Sequence, residues 1–215
     1  MKTLIQVLLI VAIIFLGFLC VRSINKPILF KKEYESRKKE VVERLINIRS
    51  AQVAYRSVNN QYTGSFDTLI HFIKTDSLVM INMVGSLTDS MIQANISEYM
   101  ALQRGIIRRD TLRVSVLDSL FRGNVALVDS IRFIPYSNGK EFEMGSTFLS
   151  TASGVKVSVF EAKTKNELFL GGLDKQEVVN LNDRAVRIEK YPGLKVGSLE
   201  EANNNAGNWE FIEIF

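Results

Sequence analysis

The hydrophobic pattern of the chain is dominated by an apolar run at residues 4–21, which has no charged side chain and one strongly polar one, Gln6. As a helix this run would be about 27 Å long, close to the roughly 30 Å of a bilayer's hydrocarbon core. It is longer than the core of a secretory signal, and no small-x-small cleavage site follows it. We therefore predict an uncleaved transmembrane anchor. Cleavage of the run and lipidation of Cys20 are the alternatives.

A helical pattern follows this run, with apolar residues recurring every three or four positions within residues 31–59. Pro27 precedes it and predicts a break or kink. The first part of the amphipathic helix, residues 31–40, is strongly charged and is predicted to stand off the membrane as a stalk. The second part has an apolar stripe that needs a partner. We expect this partner to be its own domain, with a homotypic coiled coil as the alternative.

The stripe and the tyrosine beyond the expected helix end at Asn59 and Asn60 supply the candidate interaction residues. Tyr55 and Tyr62 are predicted to pack on a sheet begun by strands at 112–117 and 131–136. In the alternative, Tyr55 faces a separate partner protein. The six candidates are Val41, Leu45, Ile48, Gln52, Tyr55 and Tyr62.

Residues 61–110 form a predicted connector of helix and loop. Gly64 and Ser65 indicate a turn, and Asp67 is a candidate cap for a short helix that ends at Lys74. Residues 79–84 are a candidate strand. The rest of residues 75–110 carries no clear period and is expected to be a loop with some helix.

From residue 111 onward the pattern alternates with period two, which is typical of strands. Asn138-Gly139 lies between two alternating runs and predicts a hairpin. A short helix is expected at 174–182, and after Pro192 a strand and a final strand in the tail. The remaining predicted strands are at 112–117, 131–136, 141–144, 155–162 and 186–190.

These patterns predict an α+β fold: an N-terminal transmembrane helix, a long amphipathic helix and a mainly antiparallel β-sheet body. The chain is divided accordingly into four segments. They are an anchor at 1–21, a basic juxtamembrane stalk and helix at 22–60, a connector at 61–110 and a β-rich body at 111–215.

The formal net charge of +4 is unevenly distributed. Residues 22–60 are net basic, whereas residues 61–215 are net acidic. The basic excess therefore lies beside the membrane, where anionic lipid headgroups explain it without any nucleic acid. By the positive-inside rule this flank favours a cytoplasmic body. A span that begins at residue 4 instead exports the downstream chain, and we predict an inner-membrane protein with a periplasmic body.

The chain has few of the residues on which enzymes commonly rely for catalysis, with one histidine and one cysteine. The only histidine, His71, lies on the apolar side of a predicted helix and is expected to be partly buried, and the only cysteine is Cys20 in the span. This excludes Cys–His catalysis, a Ser–His–Asp triad and the common zinc sites. We predict no enzyme activity, no metal and no cofactor. The arginines at 104, 108, 109 and 113 are expected to lie on an exposed face of mixed charge.

The segment AQVAYRSVNNQYTGSFDTL, residues 51–69, resembles the end of the long helix in type IV pilins and pseudopilins. The resemblance implies an apolar N-terminal helix whose amphipathic half lies on an antiparallel sheet. The chain departs from pilins at the prepilin-peptidase site, since Gly17-Phe18 lies inside the span and Arg22 stands where the glutamate would. The matching residues are Ala51, Ala54, Tyr55, Asn59, Tyr62, Thr63 and Leu69.

The tail, YPGLKVGS at 191–198 and NNNAGNWE at 203–210, resembles an uncharacterised family of single-span bacterial envelope proteins. We expect a non-catalytic structural or interaction subunit of an envelope assembly, whose partners are membrane lipids, other envelope membrane proteins or a second copy. One alternative is a pilin-like subunit of a secretion or pilus-type machine. The other is a small-ligand-binding or enzymatic domain that uses no His or Cys chemistry.

Overall fold

The computed structural model describes residues 2–93, 95–150 and 154–210. It is a mixed helix-and-sheet chain with a long, partly apolar N-terminal helix and two antiparallel sheets, which confirms the predicted α+β class in its coarse form. In chain order the elements are α1 (Lys2–Asn59), α2 (Phe66–Thr75), β1 (Ser77–Val84), α3 (Asp89–Gln93), α4 (Glu98–Gln103), β2 (Arg108–Ser115), α5 (Val116–Phe121), α6 (Val125–Asp129), β3 (Glu143–Ser150), β4 (Lys156–Lys165), α7 (Asn166–Phe169), α8 (Lys175–Arg187) and β5 (Gly193–Gly197).

Helix α1 runs without interruption through Pro27, so of the predicted break or kink the break is wrong, and the kink stays a prediction. A proline inside a helix removes one backbone hydrogen bond and costs about 3 kcal/mol. The next turns carry Phe30 and Tyr34, which are 6% and 4% exposed and hold the chain in helix by packing. The predicted end is confirmed: Asn60 has a φ of 57° and donates its N–H to the carbonyl of Arg56.

The chain divides into two compact units, one made of Met1–Arg49 with Ile131–Phe215 and the other of Ser50–Ser130. The charged segment 31–40, predicted to be a stalk, is mostly exposed as expected, but it belongs to the first unit and contains buried Tyr34. The guanidinium of Arg37 in this segment bonds to backbone carbonyls of the body instead of to solvent. The four sequence segments, as a functional division, stay a prediction.

The first unit contains the three-stranded sheet β3-β4-β5, with β4 in the centre. Its core includes Phe160, Ala162 and Val196, which are all fully buried. Helix α8 begins with Asp174 as its cap, and it confirms the helix expected at 174–182. It continues to Arg187, so the predicted strand at 186–190 is wrong: the buried stripe of Val178, Leu181 and Ala185 keeps this segment helical.

The predicted strand at 131–136 is also wrong, since only an isolated bridge between Phe133 and Glu141 forms there. Pro135 lacks the N–H that a strand would need. The hairpin turn is confirmed, with Asn138 and Gly139 at φ values of 55° and 83°. The other predicted strands of this unit appear as β3, β4 and β5 with shifted ends. The final strand of the tail falls largely on residues 211–215, outside the described residues.

The second unit packs α2, α5 and α6 around Leu69, Phe72 and Ile73. Ser65, not the predicted Asp67, caps α2 by accepting the N–H of Thr68. Strands β1 and β2 pair antiparallel, with Ser77 opposite Ser115 and Val84 opposite Arg108. The predicted strand at 79–84 is thus confirmed and lengthened, whereas β2 begins four residues before the predicted 112.

A substitution at Gly197 tests the close packing of the sheet, because a Cβ there would lie 2.1 Å from the carbonyl oxygen of Phe160. We expect Gly197→Ala to lower the free energy of unfolding well beyond the about 1–2 kcal/mol that a left-handed alanine costs by itself. Gly154→Ala is the matched control, since its φ of 79° is close to the 73° of Gly197 while the described residues leave open space around it. The measurement is denaturant unfolding of both variants in detergent. Equal losses would contradict the steric argument.

Candidate interaction surface where α1 meets the body

The apolar half of α1 is exposed along its whole described length. All side chains described between residues 8 and 29 are exposed, and burial begins abruptly at Phe30. By length and composition, α1 is the one helix in the described part of the chain that is able to cross a membrane. Exposure continues past the predicted span, since Ile24, Ile28 and Leu29 are 62%, 59% and 66% exposed. The apolar surface of α1 therefore reaches to the edge of the body.

An ion pair marks that edge. The Nζ of Lys26 lies 3.3 Å from Oδ2 of Asp174, and both side chains are partly exposed. Asp174 also caps α8 by accepting the N–H of Gln176 at 3.0 Å. The hydrogen bond from Gln176, followed by that from Lys26, lowers the pKa of Asp174, so this carboxylate is charged at neutral pH. The start of α8 is thereby fixed next to the turn of α1 that precedes Phe30.

Arg37 makes the second contact between α1 and the rest of the first unit. Its guanidinium donates to the carbonyls of Phe169 and Gly171 at 3.1 and 3.0 Å, and to Glu33 at 3.0 Å. The two carbonyls lie at the end of α7, where backbone acceptors have no helical partner. One nitrogen of the guanidinium, Nη1, donates to both carbonyls, while Nε donates to Glu33. The Cζ atom of Arg37 also lies 4.8 Å from the centre of the Tyr136 ring.

Two further contacts lie along α1. The hydroxyl of Tyr136 donates to Glu40, and Nη1 of Arg49 lies 2.6 Å from Oε1 of Glu210. From Lys26 to Arg49 the helix rises about 35 Å. The body of the first unit is therefore held along the helix at several points and not at one, and this fixes its orientation relative to the exposed apolar half.

Two open clefts flank residues 171–174, the loop between α7 and α8. One, of about 570 Å³, is lined by Lys26, Leu29, Phe30 and Lys32 on α1 and by the loop itself. The other, of about 500 Å³, is mainly apolar and is lined by α7 and the first turns of α8. Gly172 and Leu173 line both clefts.

The six residues predicted from the sequence lie elsewhere on α1 and just beyond it. Five are buried: Val41, Leu45, Ile48 and Gln52 are fully covered, and Tyr62 is 5% exposed. Tyr55 is partly exposed. The structure brings Gln52, Tyr55 and Tyr62 into the second unit and the other three into the first. Their binding to another protein stays a prediction, and five of the six offer almost no surface for it.

Gln52 has a role that the stripe did not reveal. Its side-chain amide donates to the carbonyl of Thr63 at 2.6 Å and accepts the N–H of the same residue at 3.1 Å. This pairing fixes the turn that comes after the helix end. The sequence did contain a signal for this role, since Gln52 is a polar residue on a stripe expected to be buried. A buried amide requires hydrogen-bond partners.

The two tyrosines pack within the second unit, but not on the predicted sheet. The ring of Tyr55 meets that of Phe72 on α2 edge to face, with centres 5.1 Å apart. Tyr62 is buried, and Arg56 donates to its hydroxyl at 3.1 Å. The predicted surface is wrong because 131–136 forms no strand and α2 occupies the position beside the end of α1.

The sheet carries a buried carboxylate between two lysines. Glu161 is 8% exposed, and its oxygens lie 2.8 Å from Nζ of Lys163 and 3.6 Å from Nζ of Lys195. The two lysines are directly opposite each other on β4 and β5, a repulsive arrangement that the carboxylate relieves. The hydrogen bond from Lys163 to Glu161 raises the pKa of Lys163. Its amine therefore stays protonated at neutral pH and remains paired with the carboxylate.

Other sequence candidates are at the surface. His71 is exposed, so the expectation of partial burial is wrong. The four arginines at 104, 108, 109 and 113 are exposed as expected, and Arg109 pairs with Glu98. Within the described ranges, no three His, Cys, Asp or Glu side chains come together in a way that would hold a metal ion. The candidate interaction surface is therefore the pair of clefts beside residues 171–174.

Comparisons with models of protein families, with curated proteins and with solved structures find no match for this chain.

Tyr55→Ala combined with Tyr62→Ala tests the packing at the end of α1. Truncating a buried aromatic residue costs about 3–5 kcal/mol, and a domain of this size has about 5–15 kcal/mol in total. We expect the double variant to lose cooperative thermal unfolding in the second unit while the full chain still inserts into membranes. Tyr99→Ala is the control, because Tyr99 is 68% exposed in the same unit. An unchanged melt with impaired binding of another protein would instead support the docking alternative.

Glu161→Gln tests the buried carboxylate. Breaking a fully buried ion pair costs about 3–5 kcal/mol, and we expect about 1–3 kcal/mol because each lysine here is 32% exposed. The folded-state pKa of Lys163 lies above its ordinary 10.5, so this stabilisation is present below about that pH and is lost as the pH rises through the folded value. The variant should be less stable at neutral pH and show a shallower alkaline decline.

The control for this substitution is Glu143→Gln, which makes the same chemical change at an exposed residue opposite Lys163 on the same sheet. An exposed pair contributes about 0–1 kcal/mol. Unfolding measured across the alkaline range gives both quantities. If the two variants lose the same stability at neutral pH, Glu161 has no special role.

Proposed function

We propose that the chain is a single-span membrane-anchored subunit of a bacterial envelope assembly, and that it acts through contacts with lipids and proteins and not through catalysis. The observation that carries this proposal is the continuity of α1. One helix contains the exposed apolar stretch that ends at Leu29 and the buried residues that begin at Phe30. An apolar surface of this length in water would be unfavourable, whereas in a bilayer it is solvated by lipid.

The attachment of the body supports a structural role. Contacts from Lys26 to Arg49 hold the first unit along about 35 Å of the same helix. A body held in this way keeps a defined orientation to the bilayer. Such an arrangement suits a subunit that presents surfaces to neighbours in an assembly. We place the anchor in the inner membrane and the body in the periplasm, following the export behaviour of an early span.

The anchor is tested with charges in its exposed part. Ile13 and Leu16 are 66% and 59% exposed, so replacing both with Arg leaves the packing of the body unchanged. Each arginine near the bilayer centre costs about 2.5–3.5 kcal/mol on insertion scales. We expect the natural chain to stay in membranes under carbonate extraction and the Ile13→Arg, Leu16→Arg variant to be released. Equal extraction of both would contradict the proposed anchor.

The assembly is tested by crosslinking in native membranes, with mass determination and identification of the attached proteins. A subunit should give adducts of fixed composition that persist in several mild detergents. The control is the same chain with the two arginines, which should give none of these adducts. Recovery of monomer alone under all conditions would contradict the proposal while leaving the anchor intact.

A pilin-like subunit is the second candidate, and one observation favours it. Helix α1 passes unbroken through Pro27, and its residues 31–49 belong to the same compact unit as the antiparallel sheet β3-β4-β5, which agrees with the layout that the resemblance over residues 51–69 implies. The deciding measurement is the N-terminus of the mature protein. An intact Met1, or loss of Met1 alone, argues against processing by a prepilin peptidase.

A further inference from the structure

The loop at residues 171–174 lies at a definite height along α1. Asp174 is paired with Lys26, and Lys26 comes five residues after Val21, the last residue of the predicted span. Five helical residues rise about 7.5 Å. The polar layer on each side of a bilayer's hydrocarbon core is about 5–8 Å thick. If α1 crosses the membrane as proposed, the loop therefore lies at the depth of the lipid headgroups.

The surface around this loop has the composition of an interfacial segment. Its apolar part consists of Leu173, which is half-buried between the two clefts, and of exposed Ile28 and Leu29 on α1. Three exposed basic side chains line the two clefts, Lys26 and Lys32 in one and Lys175 in the other. Arg22 and Lys31 are exposed on neighbouring turns of α1.

The acidic residues of this surface carry little unbalanced charge. Asp174 is paired with Lys26, and Glu33 is paired with Arg37. Glu167 lies on the second cleft, and its partner Asn182 is neutral and does not offset the carboxylate. Since the charges of Lys26 and Asp174 cancel, the positive excess comes from Lys32 and Lys175, which outweigh Glu167. Each basic group near an anionic membrane contributes about 1 kcal/mol.

We propose that residues 171–174, together with Lys175, dock on the anionic headgroup layer of the membrane that α1 crosses, with Leu173 inserted among the lipids. This inference rests on the proposed anchor. The basic side chains meet lipid phosphates, and the clefts on either side of Leu173 receive the upper parts of acyl chains. The first unit then has a second contact with the bilayer besides α1, and its body rests on the membrane surface.

The test uses the full chain in vesicles of phosphatidylcholine and phosphatidylglycerol. In a Cys20→Ser background, Leu173→Cys is labelled with an environment-sensitive fluorophore, and quenching by headgroup nitroxide lipids is measured. Lys140→Cys is the matched control, because this exposed residue lies on the hairpin whose Tyr136 contacts Glu40, about 21 Å further along α1 than Lys26. Leu16→Cys, probed with chain-labelled nitroxides, reports the anchor.

We expect quenching at Leu173 to be roughly twofold or more above that at Lys140, and to fall in vesicles of phosphatidylcholine alone. Lys175→Cys, which replaces an exposed side chain, should behave as Leu173→Cys and guards against a folding defect. Quenching at Leu16 with control-level quenching at both loop sites would overturn the docking and leave the anchor. Absence of quenching at Leu16 would overturn both. Equal quenching in the two lipid mixtures would overturn the role of anionic headgroups.

Discussion

The unbroken course of helix α1 from Lys2 to Asn59 is the constraint on which the first unit depends. A lipid-exposed segment must satisfy its own N–H and C=O groups, and a helix does so within itself. Here the same helix continues into the body, where Phe30 begins the buried surface. This helix carries the residues that contact the rest of the first unit: Lys26 through its ion pair, Arg37 through its hydrogen bonds, and Glu40 and Arg49. A helix that ended at the membrane surface would leave each of them without a common frame.

Sequence patterns predicted the local features well where one period was sustained. The stripe of Val41, Leu45 and Ile48 is fully buried, and the left-handed Asn60 ends α1 at the expected place. Short runs were ambiguous because five alternating residues fit a strand and the end of a helix equally well. At 186–190 the earlier stripe of α8 decided the outcome. At Pro27 the helix continues although proline usually interrupts one. The tertiary packing that holds it cannot be read from the sequence around the proline.

The contacts that define the candidate surface join residues far apart in sequence. Lys26 and Asp174 are separated by 148 positions, and Arg37 and Phe169 by 132. A charged segment rich in Lys, Arg and Glu has the pattern of a solvated stalk, and its sequence does not contain the distant backbone carbonyls that Arg37 contacts. The same holds for Glu161, whose two lysines are gathered by strand register. The height of the loop at 171–174 was therefore accessible only from the structure.

Pro27 gives α1 a mechanical property. The proline has no N–H, so one carbonyl of the preceding turn lacks its helical donor, between the last predicted membrane residue and the first buried one. If α1 crosses the membrane as proposed, lipid surrounds the helix before this turn and the body stiffens it from Phe30 onward. The pair of Lys26 with Asp174 joins the body to the helix just before the proline. A force that breaks this pair would bend the helix at this turn, whereas with the pair intact the body keeps its orientation to the span.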